Sequence, residues 1–280
     1  MLGKERVRAT ILSVLLLVLF FGVWQIATMP TTSGQVVDDE YARLVGSAAA
    51  TGQKSAFPTP LDFLQKVGGH LADPFYDRGP NDKGIGIQLG WSVARVAVGF
   101  GLAALVAIPL GFLIGMSRLV FQALDPFIQV LKPISPLAWM PLALFTLKDS
   151  GVSAIFVIFI CSIWPMMINT AFGVASVRKE WLDVSRTLEV KPLRRALWVI
   201  LPAAAPTIMT GMRISIGIAW LVIVAAEMLV GGTGIGYFVW NEWNNLSITN
   251  ILAAILAIGV IGMLLDLGFA RLQRAVTYRD

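Results

Sequence analysis

The chain has 280 residues and a formal net charge of +5; 56% of its residues are hydrophobic and only 14% are charged. Soluble domains average about 45–50% apolar and about 25% charged residues, so this composition excludes an ordinary soluble domain and selects a membrane protein. The basic balance is no sign of nucleic-acid binding, because Lys and Arg gather in short segments between apolar runs. One cysteine, Cys161, and one histidine, His70, supply neither a disulfide nor a metal framework. Cys161 reads as a small packing residue and His70 as a solvated loop residue.

Six apolar segments are long enough to cross a hydrocarbon core, which takes about 20 helical residues. In chain order they are Thr10–Met29, Gln88–Met116, Asp125–Leu147, Val152–Val177, Pro202–Leu229 and Ile248–Leu272. The first follows Lys4, Arg6 and Arg8. That start also suits a signal peptide, but no small-residue cleavage site follows closely, so residues 1–30 read as an anchor. Residues 31–86 form a polar loop rich in Gly, Pro, Asp and Ser, with turn signals at Asp73-Pro74 and across Arg78-Gly79-Pro80-Asn81-Asp82. It is either a docking rim or a spacer.

Residues 87–280 hold the remaining five spans. In the second, Gly99, Ala103, Ala107, Gly111 and Gly115 recur every fourth residue, a small-residue ladder that lets another helix of the same subunit approach closely. Arg95 continues that series and reads as an interfacial anchor that snorkels. The third span carries Lys132, Pro133, Pro136 and Pro141, which predict a kink. Trp139, Met140 and Pro141 there are either a constriction or ordinary packing. Gln129, Lys132, Asn169 and Thr170 are further polar positions of unresolved depth.

The fifth span places Arg213 near mid-membrane, about 16 Å along the helix from Pro202. Met209, Gly217, Trp220 and Glu227 fall on nearly the same face as Arg213. Two readings stand. The stripe Met209, Arg213, Gly217, Trp220 and Glu227, with Met140, lines a path for a small anion attracted by Arg213. Alternatively, Arg213 pairs with a carboxylate or backbone carbonyls inside the bundle. Charge sets orientation. Lys4, Arg6 and Arg8, then Arg118, then the segment from Arg178 to Arg195, then Arg271, Arg274 and Arg279 fall in every second segment between spans, and so on one side. The positive-inside rule puts those segments, and both termini, in the cytoplasm.

No G-x-x-x-x-G-K-[ST] loop occurs, and Gly231-Gly232-Thr233-Gly234-Ile235-Gly236 follows a span, so it reads as a turn. The chain shows no nucleophile constellation and no means of hydrolysing ATP; it reads as no enzyme, with no catalytic, cofactor-binding or metal-ligating residues. The sharpest signal lies at about residues 178–192. Trp181, Val184, Ser185 and Leu188 repeat at i, i+3, i+4 and i+7, which predicts a short helix with one apolar face. Glu180, Asp183, Arg186 and Thr187 lie off that face, and Pro192 ends the helix. So short a helix is marginal alone in water and is best explained by a protein partner.

At this loop the chain resembles a known family. Permease subunits of bacterial ATP-binding cassette importers carry a cytoplasmic signature of Glu-Ala-Ala, three residues, Gly, nine residues, Ile, one residue and Leu-Pro. Asp183-Val184-Ser185, Glu189, Val199 and Leu201-Pro202 keep that spacing, with Asp for Glu, Val-Ser for Ala-Ala and Glu189 for the glycine. The missing glycine puts the usual sharp turn in question. From Leu89 to Arg274 the chain is similar to the nitrate, sulfonate, taurine and bicarbonate branch. Segment Pro74-Phe75-Tyr76-Asp77 through Gly84 looks most like the nitrate permeases, then the bicarbonate ones.

The resemblance implies an all-α integral membrane protein of MetI-like ABC importer permease fold, with six transmembrane helices. A cytoplasmic coupling helix between spans 4 and 5 would offer Glu180, Trp181, Asp183, Ser185, Arg186, Leu188 and Glu189 to an ATPase. It further implies a homodimer in the bacterial inner membrane, two ATPase subunits, alike or different, that carry ATP and Mg, and an extracytoplasmic substrate-binding protein. The cargo is a small anion, most of all nitrate, with nitrite, bicarbonate or an alkyl sulfonate such as taurine as alternatives. A partner-independent secondary transporter would call for internal repeats, and none is evident.

Overall fold

A computed structural model describes residues 2–29, 57–79 and 82–276. Residues 30–56, the first part of the outer loop, lie outside the described residues, as do Pro80, Asn81 and Arg279. The helices are α1 (Leu2–Ala27), α2 (Pro60–Ala72), α3 (Ile85–Met116), α4 (Arg118–Leu131), α5 (Met140–Leu147), α6 (Ser150–Ala175), α7 (Lys179–Thr187), α8 (Pro192–Val230), α9 (Ile235–Asn244) and α10 (Ile248–Val276). Five of these, α1, α3, α6, α8 and α10, are long and apolar enough to span a membrane.

The chain forms two compact units. The first comprises Met1–Asp73 and Glu242–Ala253. In it α1 exposes its apolar side chains along nearly its whole length, as a helix solvated by lipid does. The helix α2 was not foreseen in the outer loop, yet its start is written there. Thr59 Oγ1 accepts from Asp62 N–H at 3.2 Å, and Pro60 takes the first turn, where its missing N–H costs nothing. The Trp24 ring lies tilted against Phe63, centroids 5.5 Å apart, and its Nε1 donates to Pro58 O at 3.1 Å. His70, expected to be solvated, lies with its Nε2 3.1 Å from Asn250 Oδ1.

The second unit comprises Pro74–Asn241 and Ala254–Asp280. It opens with a small bridge between Asp77 and Lys83, closed by an ion pair at 3.4 Å. Gly84 follows because a Cβ there would strike the backbone of Pro74.

The core is α6, which packs along α3 on one side and α8 on the other. Helices in lipid gain no hydrophobic driving force against one another, so they hold by close packing, and small residues set how close. The ladder of α3 does this within one subunit, as expected. Ala103 and Ala107 are fully buried, and Gly99, Gly111 and Gly115 sit against Ile158, Thr170 and Val174 of α6. On the other side Gly173 meets Thr207, and Gly211 meets Asn169.

Two spans differ from expectation. The third is no gently kinked helix. Two helices, Arg118–Leu131 and Pro136–Leu147, bend by 85° at a break. Pro133 and Pro136 in the break remove N–H donors and bar the helical path. The fifth begins ten residues earlier than its apolar run, at Pro192 rather than Pro202, and includes a π turn, Ala196–Ile200.

Candidate functional site

Helix α7 stands between the ends of α6 and α8. Arg178 precedes it with its guanidinium 5.6 Å from the Trp181 ring. Asp183 accepts from Arg186 at 3.1 Å on the exposed side. The expected apolar stripe divides. Ser185 is buried, its hydroxyl donating to Leu182 O at 2.7 Å, and Leu182 packs into a cluster with Val174, Val177 and Ile200. Trp181, Val184 and Leu188 remain exposed. Thus one edge of α7 seats the helix on its own bundle and the other presents three large apolar side chains. Glu180 and Glu189 are exposed beside them.

The turn that the missing glycine put in question does form. Glu189 adopts φ of 53°, the left-handed conformation. Val190 N–H donates to Ser185 O at 3.1 Å and Glu189 N–H to Arg186 O at 2.9 Å. This is a Schellman ending, in which the residue after the cap is usually glycine. A non-glycine residue there carries a strain of about 1–2 kcal/mol, which the two hydrogen bonds and the packing of α7 offset.

At the α9 end lies a polar cluster that the sequence reading missed. Glu227 and Arg95 form an ion pair at 2.7 Å, their side chains only 2% and 13% exposed. Arg95 therefore reaches inward; it is not the snorkelling anchor expected. The Glu227 carboxylate also accepts from the Ser92 hydroxyl at 2.7 Å and from Gly236 N–H at 3.1 Å. Arg95 Nη1 donates to Thr233 O at 2.5 Å, Gly234 N–H to Gln88 Oε1 at 2.6 Å and Ile235 N–H to Ser92 Oγ at 2.9 Å. The Gly231–Gly236 segment is indeed a turn, with Gly231 and Gly232 at positive φ, and its backbone is held by three side chains of α3. A buried carboxylate with an arginine and two further donors meets the condition under which burial of charge is tolerated.

The stripe on α8 is thereby split. Arg213 forms a two-pronged pair with Asp266 of α10, Nε to Oδ1 and Nη2 to Oδ2, both 2.7 Å. This is the carboxylate pairing set out as the second reading of Arg213. Met209 is half-buried, and Gly217 opens on space. Trp220 is buried, its ring against Gly262 and its Nε1 donating to Ile258 O at 3.0 Å. A face common to five residues is open at one depth and covered by α10 or α3 at another. Met140 is fully buried in the main core, so in this structure it lines no passage. Its neighbour Trp139 holds a buried Nε1–H with no partner among the described residues.

Two clefts flank the 85° break. One, of about 570 Å³, lies between α4 and the ends of α3 and α6, and Arg118, Asp125, Gln129 and Lys132 are its polar lining. The other, of about 350 Å³, lies between the break, mid-α6 and α8, with Lys132 and Asn169 as its polar side chains beside Cys161 and Trp164.

These features define a class: a polytopic helical permease that carries one short amphipathic helix off the end of its bundle. The fold is shared with a chain of the MetNI methionine ABC transporter solved in inward-facing conformations, at a TM-score of 0.61 over 68% of this chain and 95% of that one; at 15% identity the likeness concerns fold alone. The chain belongs to the family of binding-protein-dependent transport system inner membrane components, which residues 107–279 match. It is 46% identical to the nitrate import permease protein of Synechocystis sp. over 83% of this chain and 85% of that protein. A bicarbonate transport system permease protein of the same organism is 45% identical over 74% of each chain. The taurine transport system permease protein of Escherichia coli is 33% identical over 79% of this chain and 78% of its own length.

Proposed function

We propose that this chain is the membrane-spanning subunit of an ATP-driven importer for nitrate. The observation that carries the reading is α7: a helix seated by Leu182 and Ser185 whose exposed Trp181, Val184 and Leu188 fit a groove on another protein. The family is that of binding-protein-dependent systems, which supports a substrate-binding protein on one side and ATPase subunits on the other. In this reading two copies of the chain enclose one pathway. ATP and Mg reside on two ATPase subunits beneath the α7 ends, and both termini face the cytoplasm by the charge of their flanks. ATP-driven closure of the ATPases moves α7 as a lever, and the cavity between the two copies alternates its opening.

Nitrate is favoured by the likeness to nitrate import permeases over most of the chain. Bicarbonate is the second reading, on 45% identity to bicarbonate permeases over 74–78% of the chain. The test is ATPase activity of the complex reconstituted with its binding protein, with nitrate, bicarbonate and taurine compared. Stimulation by nitrate is expected, and a response to bicarbonate or taurine alone overturns the substrate. In the same assay Trp181→Ala and the double variant Asp183→Ala with Arg186→Ala are expected to keep ATP hydrolysis but lose stimulated uptake. Normal coupled uptake in both removes α7 from the ATPase interface.

A further inference from the structure

An anion that crosses the membrane needs positive charge along its way, and the four charged side chains Arg95, Glu227, Arg213 and Asp266 cancel in two pairs. Lys132 is different. Its backbone N–H caps α4 by donating to Ile128 O at 2.9 Å, while its ammonium has no ion pair among the described residues. It stands at the end of α4, where the 85° break begins, and it lines both clefts. The second of these runs along Ile160–Asn169, the middle of the 26-residue helix α6, so Lys132 meets that helix within the span. Lys132 is exposed on the cleft walls; a lone charge within a membrane span is unfavourable, and charges kept there mark ion pathways or await a partner.

The surroundings favour a negative guest. Lys132 stands at the negative end of the α4 dipole. In the larger cleft the charged side chains are Arg118, Lys132 and Asp125, an excess of one positive charge. Asp125 is already engaged, 2.6 Å from the Gln129 amide. In the smaller cleft Lys132 is the sole charged group. Asn169 faces the same space; its amide carries two N–H groups, and one is committed to Pro165 O at 2.8 Å. An ammonium and an amide N–H on one cleft suit a small oxyanion, which accepts hydrogen bonds on every side.

We infer that Lys132, with Asn169, forms the oxyanion contact inside the membrane, and that Arg213, the cation singled out from the sequence, serves as half of a pair. The inference rests on the reading of this chain as an anion importer. The test uses the complete complex in proteoliposomes, with ATP-driven uptake of nitrate and, in parallel, bicarbonate. Wild-type import of neither anion overturns the importer reading itself. Where wild type imports one of them, Lys132→Gln is expected to lower maximal uptake at least tenfold. Its half-saturating concentration, set by the binding protein, stays within twofold. Lys132→Arg recovers to within threefold of wild type, and Lys148→Gln, an exposed lysine at the end of α5, matches wild type. Uptake by Lys132→Gln within threefold of wild type overturns the contact. So does equal loss in Lys132→Arg, or failure of Lys132→Gln to assemble, because either makes the role one of shape.

Discussion

Two ion pairs tie α8 to a neighbouring span, and they differ in what surrounds them. Arg95–Glu227 is enclosed, and the carboxylate accepts also from Ser92 of α3 and from Gly236 N–H at the start of α9. Arg213–Asp266 has better mutual geometry, two parallel contacts of 2.7 Å, yet its side chains are 39% and 52% exposed. The first organises a backbone segment; the second joins two helix faces and nothing else. Geometry between the partners is therefore a poorer guide to their importance than the number of other groups that depend on them.

Breaking the enclosed pair has the largest expected effect. Glu227→Ala leaves Arg95 buried without its counter-charge and frees Ser92 and Gly236 N–H, so a loss of about 3–5 kcal/mol is expected. The midpoint of thermal unfolding of the detergent-solubilised protein measures it, and a midpoint like that of wild type refutes the comparison. Arg95→Lys keeps the charge but ends one atom short of Nη1, the atom that holds both Glu227 and Thr233 O, so one of the two contacts is lost. The loss of one charge-assisted hydrogen bond predicts about 1.5–3 kcal/mol in the same measurement. Gly236→Ala sharpens the point from the backbone side, because a Cβ there meets Val224 O and the Glu227 side chain. About 1–3 kcal/mol of overpacking is expected, with protease cleavage appearing first in the turn 231–236. The smallest effect belongs to Arg213→Ala together with Asp266→Ala. With both charges gone, folded yield from membranes should match wild type, and each single variant should yield less than the pair.

Much of this was open to sequence reading, for a simple reason. Spans answer to a single solvent, so apolar run length alone located α3, α6 and α10 to within a few residues. The Gly99–Gly115 ladder was readable because one period on one helix carries it. The short helix α7 was readable because its amphipathic pattern marks it. Pairing across helices was not, since Ser92 and Glu227 lie 135 residues apart and periodicity within one helix names no partner. The signal that pairs existed was present all the same: two cations and two carboxylates inside apolar segments, which seldom stand alone in a membrane. Thr59-Pro60 with Asp62 announced α2, but an overall polar composition obscured it. The left-handed Glu189 shows the reverse case, in which a motif's geometry outlasts the residue that usually makes it easy.

The π turn Ala196–Ile200 has a consequence for the link between α7 and the membrane. A π turn holds one residue more than an α turn would. Removal of a single residue between Arg195 and Leu201 would restore regular winding, and so rotate everything before it by about 100° and draw it in by about 1.5 Å relative to the rest of α8. The surplus residue thus works as a phase-setter, a fixed angular offset between α7 and the apolar length of α8. A variant with that residue deleted would keep every span and every contact of the α9 end, yet turn the exposed Trp181 to a different bearing.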